Sequence, residues 1–358
     1  MFTLEAKRMG YYVHTFSPDK NSPTGQVADK EFIASYDDVE AARKFAENVD
    51  VVTFEFENIA SKVVEAIEER IPVHPSSKVL HITQHRLREK TFLKENGFPV
   101  TPFYRISTAD DIEKAIEAIG TPSIVKTAGF GYDGKGQAKI TSTDDLKKAF
   151  ASFDGKEAIL EAFVNFEREI SVVAARSAKG DFAHFGTVWN IHTNHILDTT
   201  YAPAPIPDPL RNEAVELARG IMESLGCIGI LCIEMFVTTD GKLIVNELAP
   251  RPHNSGHWTI DGCITNQFEQ QVRAVCGLPL GSNEQLRPAA MVNILGDIWA
   301  SGEPNWPELL KDPNVKLHLY GKAEARKGRK MGHVNIIGNT TADIEAAVTR
   351  TKQVLNIA

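Results

Sequence analysis

Four glycines fall within eight residues of "KTAGFGYDGKGQAKI", residues 126–140, with Lys126 just ahead of them. Glycine takes positive φ angles and allows close approach, so such a run can present backbone N–H groups to phosphate oxygens. Two tighter phosphate motifs fit inside it. Gly129, Gly131 and Gly134 satisfy G-x-G-x-x-G, and Gly129–Lys135 satisfies the P-loop pattern up to its final Ser/Thr. Both require a helix directly after the glycines, whose N-terminal amides hold the phosphate. "QAKITS" is β-leaning and too short for that, and Gly136 stands where the magnesium-binding hydroxyl should be. Both motifs fail. A strand–loop–strand hairpin remains, either a flap that closes over phosphates or a plain surface hairpin.

A second constellation lies in "EMFVTTDGKLIVNE", residues 234–247. Asp240-Gly241 signals a two-residue hairpin turn. Pairing Thr239 with Lys242 across that turn sets a register in which Glu234 faces Glu247, with Cβ atoms about 4.5–5.5 Å apart. Facing carboxylates repel unless a proton or cation sits between them, and Mg²⁺ shared with nucleotide phosphates meets that need. A solvated pair on an outer face is the plain alternative, although the neighbours Ile233, Leu248 and Ile244 read as buried. Together the two features imply a nucleoside triphosphate held between two antiparallel layers.

These residues need elements to carry them. The first 75 or so residues alternate "YYVHTF" (strand), "DDVEAARKFAENVD" (helix), "VVTFEFENI" (strand) and "SKVVEAIEERI" (helix), the pattern of a parallel sheet with helices packed on it. The opening "MFTLEAKRMG" is already an amphipathic helix ended by Gly10, as if the chain began inside a βαβ unit. "IPVHPSSK" marks a boundary. Beyond it come the helix "RLREKTFLKENG", a strand at "TPFYRI", a helix from Thr108 to Gly120, and then the glycine hairpin. The helix "DDLKKAFASF", strands at "AILEAFV", "REISVVAARS" and "AHFGTVWNIHTNHI", and a helix from Arg211 to Leu225 precede the acidic hairpin. "NQFEQQVRAVCG" is a further helix, and a strand-rich tail begins near 288. The expected fold class is α/β and α+β multidomain: 1–78 Rossmann-like, 79–280 containing the flap (129–137) and the hairpin (230–250), and 281–358 a small C-terminal unit.

The chain has 358 residues, 42% hydrophobic and 24% charged, the composition of a globular protein with room for several domains. A net charge of −8 argues against nucleic-acid or anionic-membrane partners, which need a basic face. No apolar run reaches membrane-span length. Cys227, Cys232, Cys263 and Cys276 form no Cys-x-x-Cys pair and read as buried free thiols.

With "NELAPRPHNSGHWTIDGC" after the hairpin, the sequence resembles the ATP-grasp superfamily and, within it, the N5-carboxyaminoimidazole ribonucleotide synthetases of purine biosynthesis. "GQVAD" (25–29), "EFEN" (55–58), "GFGYDGKGQ", "EAFVNFEREIS", "NELAPRPHNSGHWT" and "GRKMGH" (328–333) match in order and spacing over nearly the whole chain. The "NELAPRPHNSGHWT" run is the specific one. The resemblance implies an ATP-grasp fold and an ATP- and bicarbonate-dependent ligase that carboxylates 5-aminoimidazole ribonucleotide. ATP and Mg²⁺ (or Mn²⁺), a homodimer and a cytoplasmic location are implied with it.

Carried over by motif, the resemblance places Arg86 and Lys126 on the nucleotide phosphates. Gly131, Tyr132, Asp133, Gly134, Lys135, Gly136 and Gln137 would form the flap. Glu161, Ala162, Phe163 and Val164 would line the adenine slot through backbone groups. Glu169 would take the ribose hydroxyls, with His192 and Asn246 beside the nucleotide. Glu234 and Glu247 would hold Mg²⁺, and Tyr132, Arg251, His253 and Asn254 would line the bicarbonate and aminoimidazole end. Lys322, Arg329 and Lys330, alone a solvated basic loop, become the grip on the substrate's 5′-phosphate. Glu55 and Glu57, at a strand end where open α/β sheets bind ligands, join the substrate site. His257 receives no role. The family opens with a strand and a glycine-rich turn, typically "GGGQLG". Neither is present ahead of the first helix, so the expectation is either an N-terminally shortened version or a chain that offsets the loss by other means. The competing expectations are another ATP-grasp carboxylate–amine ligase and a non-catalytic nucleotide-binding module.

Overall fold

The computed structural model describes residues 1–129 and 136–357. Among the described residues, fourteen strands form three sheets. β1 (His14–Ser17) and β2 (Lys30–Ile33) pair in parallel near the N-terminus. β3 (Phe103–Ile106), β4 (Ser123–Thr127), β5 (Gln137–Ile140) and β6 (Ala158–Ala162) make an antiparallel sheet in the order β3-β6-β4-β5. The large sheet takes β7 (Phe166–Arg176), β8 (Phe182–Thr193), β9 (Ile196–Ala202), β10 (Gly229–Thr238), β11 (Leu243–Ala249), β12 (Ala289–Leu295), β13 (Val315–Leu319) and β14 (Lys330–Ile337). Its order is β11-β10-β7-β8-β9-β12-β14-β13.

The central strands of this sheet are buried on both faces, so their sequences run apolar without alternation ("ISVVAA", "GILCIE"). On one face Ile170, Val172, Leu231, Ile233, Met235, Val245 and Leu248 pack under the Asp208–Leu225 helix, which contributes Ala214, Ala218, Ile221 and Met222. The opposite face gathers Val173, Ile230, Cys232, Ala249 and Trp258, and the acidic hairpin opens on this side. The long helix begins three residues before the sequence suggests, at Asp208, because Pro209 is compatible with a first turn whose N–H groups need no intrahelical partner. The C-terminal strands do not form a separate sheet. β12 pairs with β9, extending the large sheet, and the Thr341–Leu355 helix covers this end.

β4 and β5 pair antiparallel with Lys126 opposite Gln137, so the glycine run links two strands rather than a strand and a helix. At its far end Gly136 has φ +71°, and a Cβ there would lie 2.7 Å from Thr127 Oγ1. Only glycine fits. The flap residues Gly131, Tyr132, Asp133, Gly134 and Lys135 lie outside the described residues.

Two expectations near the N-terminus need correcting. The strand expected over "VVTFEFENI" reduces to one parallel bridge, Val52 with Val73, because no described strand lies alongside the rest of the segment to take ladder bonds. β2 and the Ser77–Thr83 helix, the latter starting at the end of the proline-bearing boundary "IPVHPSSK", were not expected. The four cysteines are free, three of them buried. Among the described residues, no helix is long and apolar enough to cross a membrane.

Candidate active site

Glu234 and Glu247 are Cα partners across β10 and β11. The route to that register differs from the expected one. The loop has three residues, Thr239 to Gly241: Thr238 N–H donates to Lys242 O at 2.9 Å, and Gly241 takes φ +80°. That turn alone would set Glu234 against Asn246. A bulge between Met235–Val245 and Glu234–Glu247 absorbs Asn246 and restores the facing pair. The bulge is held from below. Lys90, 1% exposed, donates its ammonium to Val245 O at 3.0 Å and Asn246 O at 2.8 Å.

Burial, reinforced by Glu247, pushes the Glu234 carboxyl up to about 7. The neighbouring Glu89 accepts from Leu248 N–H at 3.0 Å, and burial together with Glu247 pushes it up to about 8. Carboxylates crowded this way want positive charge, and an all-oxygen donor pair suits a hard divalent cation.

Beside them lies a row of cations. Lys126 reaches Glu161 Oε2 at 2.9 Å. Burial opposes ionisation of Glu161, yet Lys126, Lys90 and Arg86 hold its carboxyl below the usual range. Arg86 also donates to Thr127 O at 3.0 Å. Burial, opposed by Glu161, brings Lys90 below its ordinary value. In segment 161–164, Ala162 and Phe163 donate their N–H groups to the carbonyls of Pro102 and Pro122, so those two amides are engaged within the fold. Glu169 and His192 pair at 2.9 Å, and although burial works against it, the Glu169 contact raises His192 above its ordinary value.

On the other side of the carboxylates, His253 Nε2 lies 3.2 Å from Glu234 Oε1. Burial, and then Arg251, keep this imidazole neutral, well below its ordinary pKa. Arg251 makes a bidentate pair with Glu57, one arm at 2.8 Å, which brings the N-terminal segment to the site and engages both predicted residues with each other. Asn254 is buried beside them, with its Nδ2 unpartnered. Glu55 accepts from Phe2 N–H at 3.4 Å. In the tail, burial and the adjacent Arg329 and Lys330 bring Lys322 down to about 8, and it donates to Lys330 O at 2.6 Å. Such crowded cations favour a dianionic ligand. His257, given no role by the sequence, is buried against Gln267 Nε2 at 2.8 Å and His333.

Sequence reasoning missed Glu89 and Lys90. A signal existed: Arg86, Glu89, Lys90 and Leu93 recur at helical spacing, so one face of "RLREKTFLKE" carries charge into the protein. It also missed the buried polar side chains Ser171 and Asn190, each in a largely apolar strand, and Ser255, within the polar run "RPHNSGH".

Three family descriptions match consecutive stretches of the chain. They are a ribonucleotide synthetase preATP-grasp domain (residues 1–84), an ATP-grasp domain (91–268) and a phosphoribosylaminoimidazole carboxylase C-terminal domain (289–347). The N5-carboxyaminoimidazole ribonucleotide synthase of Bacillus subtilis is 44% identical over 337 residues, 94% of this chain and 88% of that protein. The crystal structure of the Staphylococcus aureus synthetase complexed with ADP superposes with a TM-score of 0.92 at 36% identity, covering 98% of this chain and 93% of that one. The Aspergillus clavatus synthase in complex with ADP and 5-aminoimidazole ribonucleotide superposes with a TM-score of 0.91 at 28% identity, covering 100% and 96%. The chain belongs to the N5-carboxyaminoimidazole ribonucleotide synthase family of ATP-grasp ligases.

Proposed function

We propose that this protein uses ATP and bicarbonate to carboxylate the exocyclic amine of 5-aminoimidazole ribonucleotide, releasing ADP and phosphate. The observation that carries the reading is the facing pair Glu234–Glu247 beside the Arg86–Lys126 row, in a chain 94% of which aligns with such a synthase. The pair would hold Mg²⁺, with Mn²⁺ as a substitute, and when bound the cation neutralises charge on the phosphoryl oxygens. Arg86 and Lys126 orient the triphosphate. Val164 and the carbonyls of Glu161 to Phe163 face the base, Glu169 the ribose, and His192 and Asn246 lie beside them.

A bicarbonate oxygen attacks the γ-phosphorus and ADP leaves, giving carboxyphosphate. The substrate amine then attacks the carboxyl carbon, either directly or after release of CO₂. Phosphate departs with the bicarbonate oxygen, and the amine loses a proton. Arg251, His253 and the unpartnered Asn254 amide line this end of the site, and Tyr132 would close it. Lys322, Arg329 and Lys330 grip the ribonucleotide phosphate, with Glu55 and Glu57 on the same side. Water exclusion matters here because both carboxyphosphate and trapped CO₂ are lost to solvent.

The reading includes a homodimer working in the cytoplasm. It also divides the chain into units at 1–78, 79–280 and 281–358, the last sharing the large sheet. The test is phosphate release. It should require ATP, bicarbonate and the ribonucleotide together, and release unaffected by the ribonucleotide would refute the assigned substrate.

A further inference from the structure

Behind Glu234 a line of polar side chains crosses the large sheet, stepping diagonally between β7 and β8, where Ser171 pairs with Val188 and Asn190 with Glu169. Glu234 on β10 is the Cα partner of Ser171 on β7, and Asn190 on β8 is the Cα partner of Thr200 on β9. Ser171, Asn190, Thr200 and Ser255 are all buried. They are joined without a break. Thr200 Oγ1 donates to Asn190 Oδ1 at 2.9 Å, and Asn190 Nδ2 donates to Ser171 Oγ at 2.9 Å. Ser171 Oγ lies 2.8 Å from Ser255 Oγ, which lies 2.9 Å from His253 Nδ1. His253 Nε2 completes the line at Glu234.

The line has a direction. The backbone N–H of Ser255 points at His253 Nδ1 from 3.3 Å, so that nitrogen is an acceptor and the ring proton sits on Nε2. Asn190 Nδ2 donates to Ser171 Oγ, which leaves the Ser171 hydroxyl proton free to run on to Ser255 and the Ser255 hydroxyl proton to run on to the imidazole, with Cys232 Sγ a second neighbour of Ser255 Oγ at 3.7 Å. In that orientation every proton points toward Glu234. The same polarity decides a second question. Cys232 Sγ, a Glu234 oxygen and a His253 nitrogen lie within 4.8 Å of one another, a spacing that could suit a soft metal. With its proton on Nε2 and Nδ1 occupied, His253 is a hydrogen-bond donor to Glu234 rather than a third ligand.

We propose that Thr200, Asn190, Ser171 and Ser255 are positioning residues. Their hydrogen-bond chain acts with the Ser255 N–H to hold the Nε2–H tautomer of His253, which donates to one oxygen of Glu234 and turns the carboxylate toward Glu247 and the cation. The proposal rests on the cation-binding reading of that pair. Its first readout, however, is made on the metal-free protein and does not depend on that reading. Outer-shell partners of this kind typically change metal affinity about 10–100-fold when removed.

The test is ¹⁵N NMR of histidine-labelled, metal-free protein, with His253 assigned by its loss in His253→Gln. The expected spectrum has a pyrrole-type Nε2 and a pyridine-type Nδ1. Asn190→Asp preserves shape but can only accept from Ser171, which reverses the chain, sets it against the Ser255 N–H, and should raise the Nδ1–H fraction. Mn²⁺ binding, followed by electron paramagnetic resonance, should weaken about 10–100-fold in this variant. Ser255→Ala interrupts the chain without adding a buried charge, should weaken Mn²⁺ to a similar degree, and serves if Asn190→Asp does not fold. A pyridine-type Nε2 in the wild-type protein overturns the proposal. So does an unchanged tautomer in a folded Asn190→Asp, or wild-type Mn²⁺ affinity in Ser255→Ala. Failure of the phosphate-release assay with the expected tautomer in place would refute the assigned substrate and leave the chain of bonds standing.

Discussion

Glu234 shows what burial does to a carboxylate that must meet a cation. Its proton is held up to about 7, chiefly by desolvation and then by Glu247, so a cation has to displace that proton below neutrality. Mn²⁺ affinity, measured by titration between pH 5.5 and 8.5, is expected to fall as pH drops below about 7 and to level off above it. Glu247→Gln removes one of the facing charges and should lower kcat/KM by at least about a hundredfold, the scale of losing one preorganised electrostatic group.

Glu89 makes the opposite kind of prediction, about stability. Its folded-state value of about 8 stands above its ordinary 4.5, so between these values the folded protein holds a proton that the unfolded chain has released. Stability from this group therefore falls as pH rises through that window. Glu89→Gln has no proton to lose, so without metal its Tm relative to wild type should climb from pH 5 to pH 8. A constant difference would contradict the burial argument. Neither role of this helix was easy to see in the sequence. Charges at Arg86, Glu89 and Lys90 look like an ordinary solvated face until the backbone groups they meet are known: Thr127 O for Arg86, Leu248 N–H for Glu89 and the bulge carbonyls for Lys90.

At the scale of elements, the acidic hairpin shows how a right answer can rest on a wrong step. A two-residue turn would pair Glu234 with Glu247 directly, whereas the three-residue loop needs the Asn246 bulge to reach the same pairing. Turn residues name the turn region, but loop length and a compensating bulge depend on what lies beneath, here the Lys90 ammonium. Lys90→Met would leave the carbonyls of Val245 and Asn246 without their donor. Each unsatisfied buried group costs about 1–3 kcal/mol. Calorimetry should show a Tm lowered by several degrees, and nucleotide affinity should weaken as the bulge relaxes. An unchanged Tm would mean the bulge stands without that support. The glycine hairpin was legible for a simpler reason: "QAKI" continues the alternation of a strand, and the structure pairs it with β4. The strand expected over 51–59 was not, because hydrophobic periodicity cannot report whether a neighbouring strand is there to pair with.

Across the whole molecule, the site is assembled from distant parts of the chain. Arg251 follows the acidic hairpin, and its bidentate partner Glu57 comes from the N-terminal segment. Glu57→Gln keeps the shape and removes the charge. It should raise KM for the ribonucleotide with little change in KM for ATP. It should also speed amide exchange in the Val39–Ala46 and Ser61–Glu68 helices. Such long-range pairing was beyond the sequence, which offered Glu57 and Arg251 only as separate candidates for the substrate end. The join of β12 to β9 was hidden for the same reason, since strand order in a sheet is a tertiary outcome.

The central claim is that phosphate is lost from ATP by way of bicarbonate, and oxygen labelling tests it most directly. With ¹⁸O-labelled bicarbonate, ATP and the ribonucleotide, the account predicts that each inorganic phosphate released carries one bicarbonate oxygen, because the bond formed to phosphorus is the one that remains. Phosphate released in step with ribonucleotide consumption but free of ¹⁸O would contradict it.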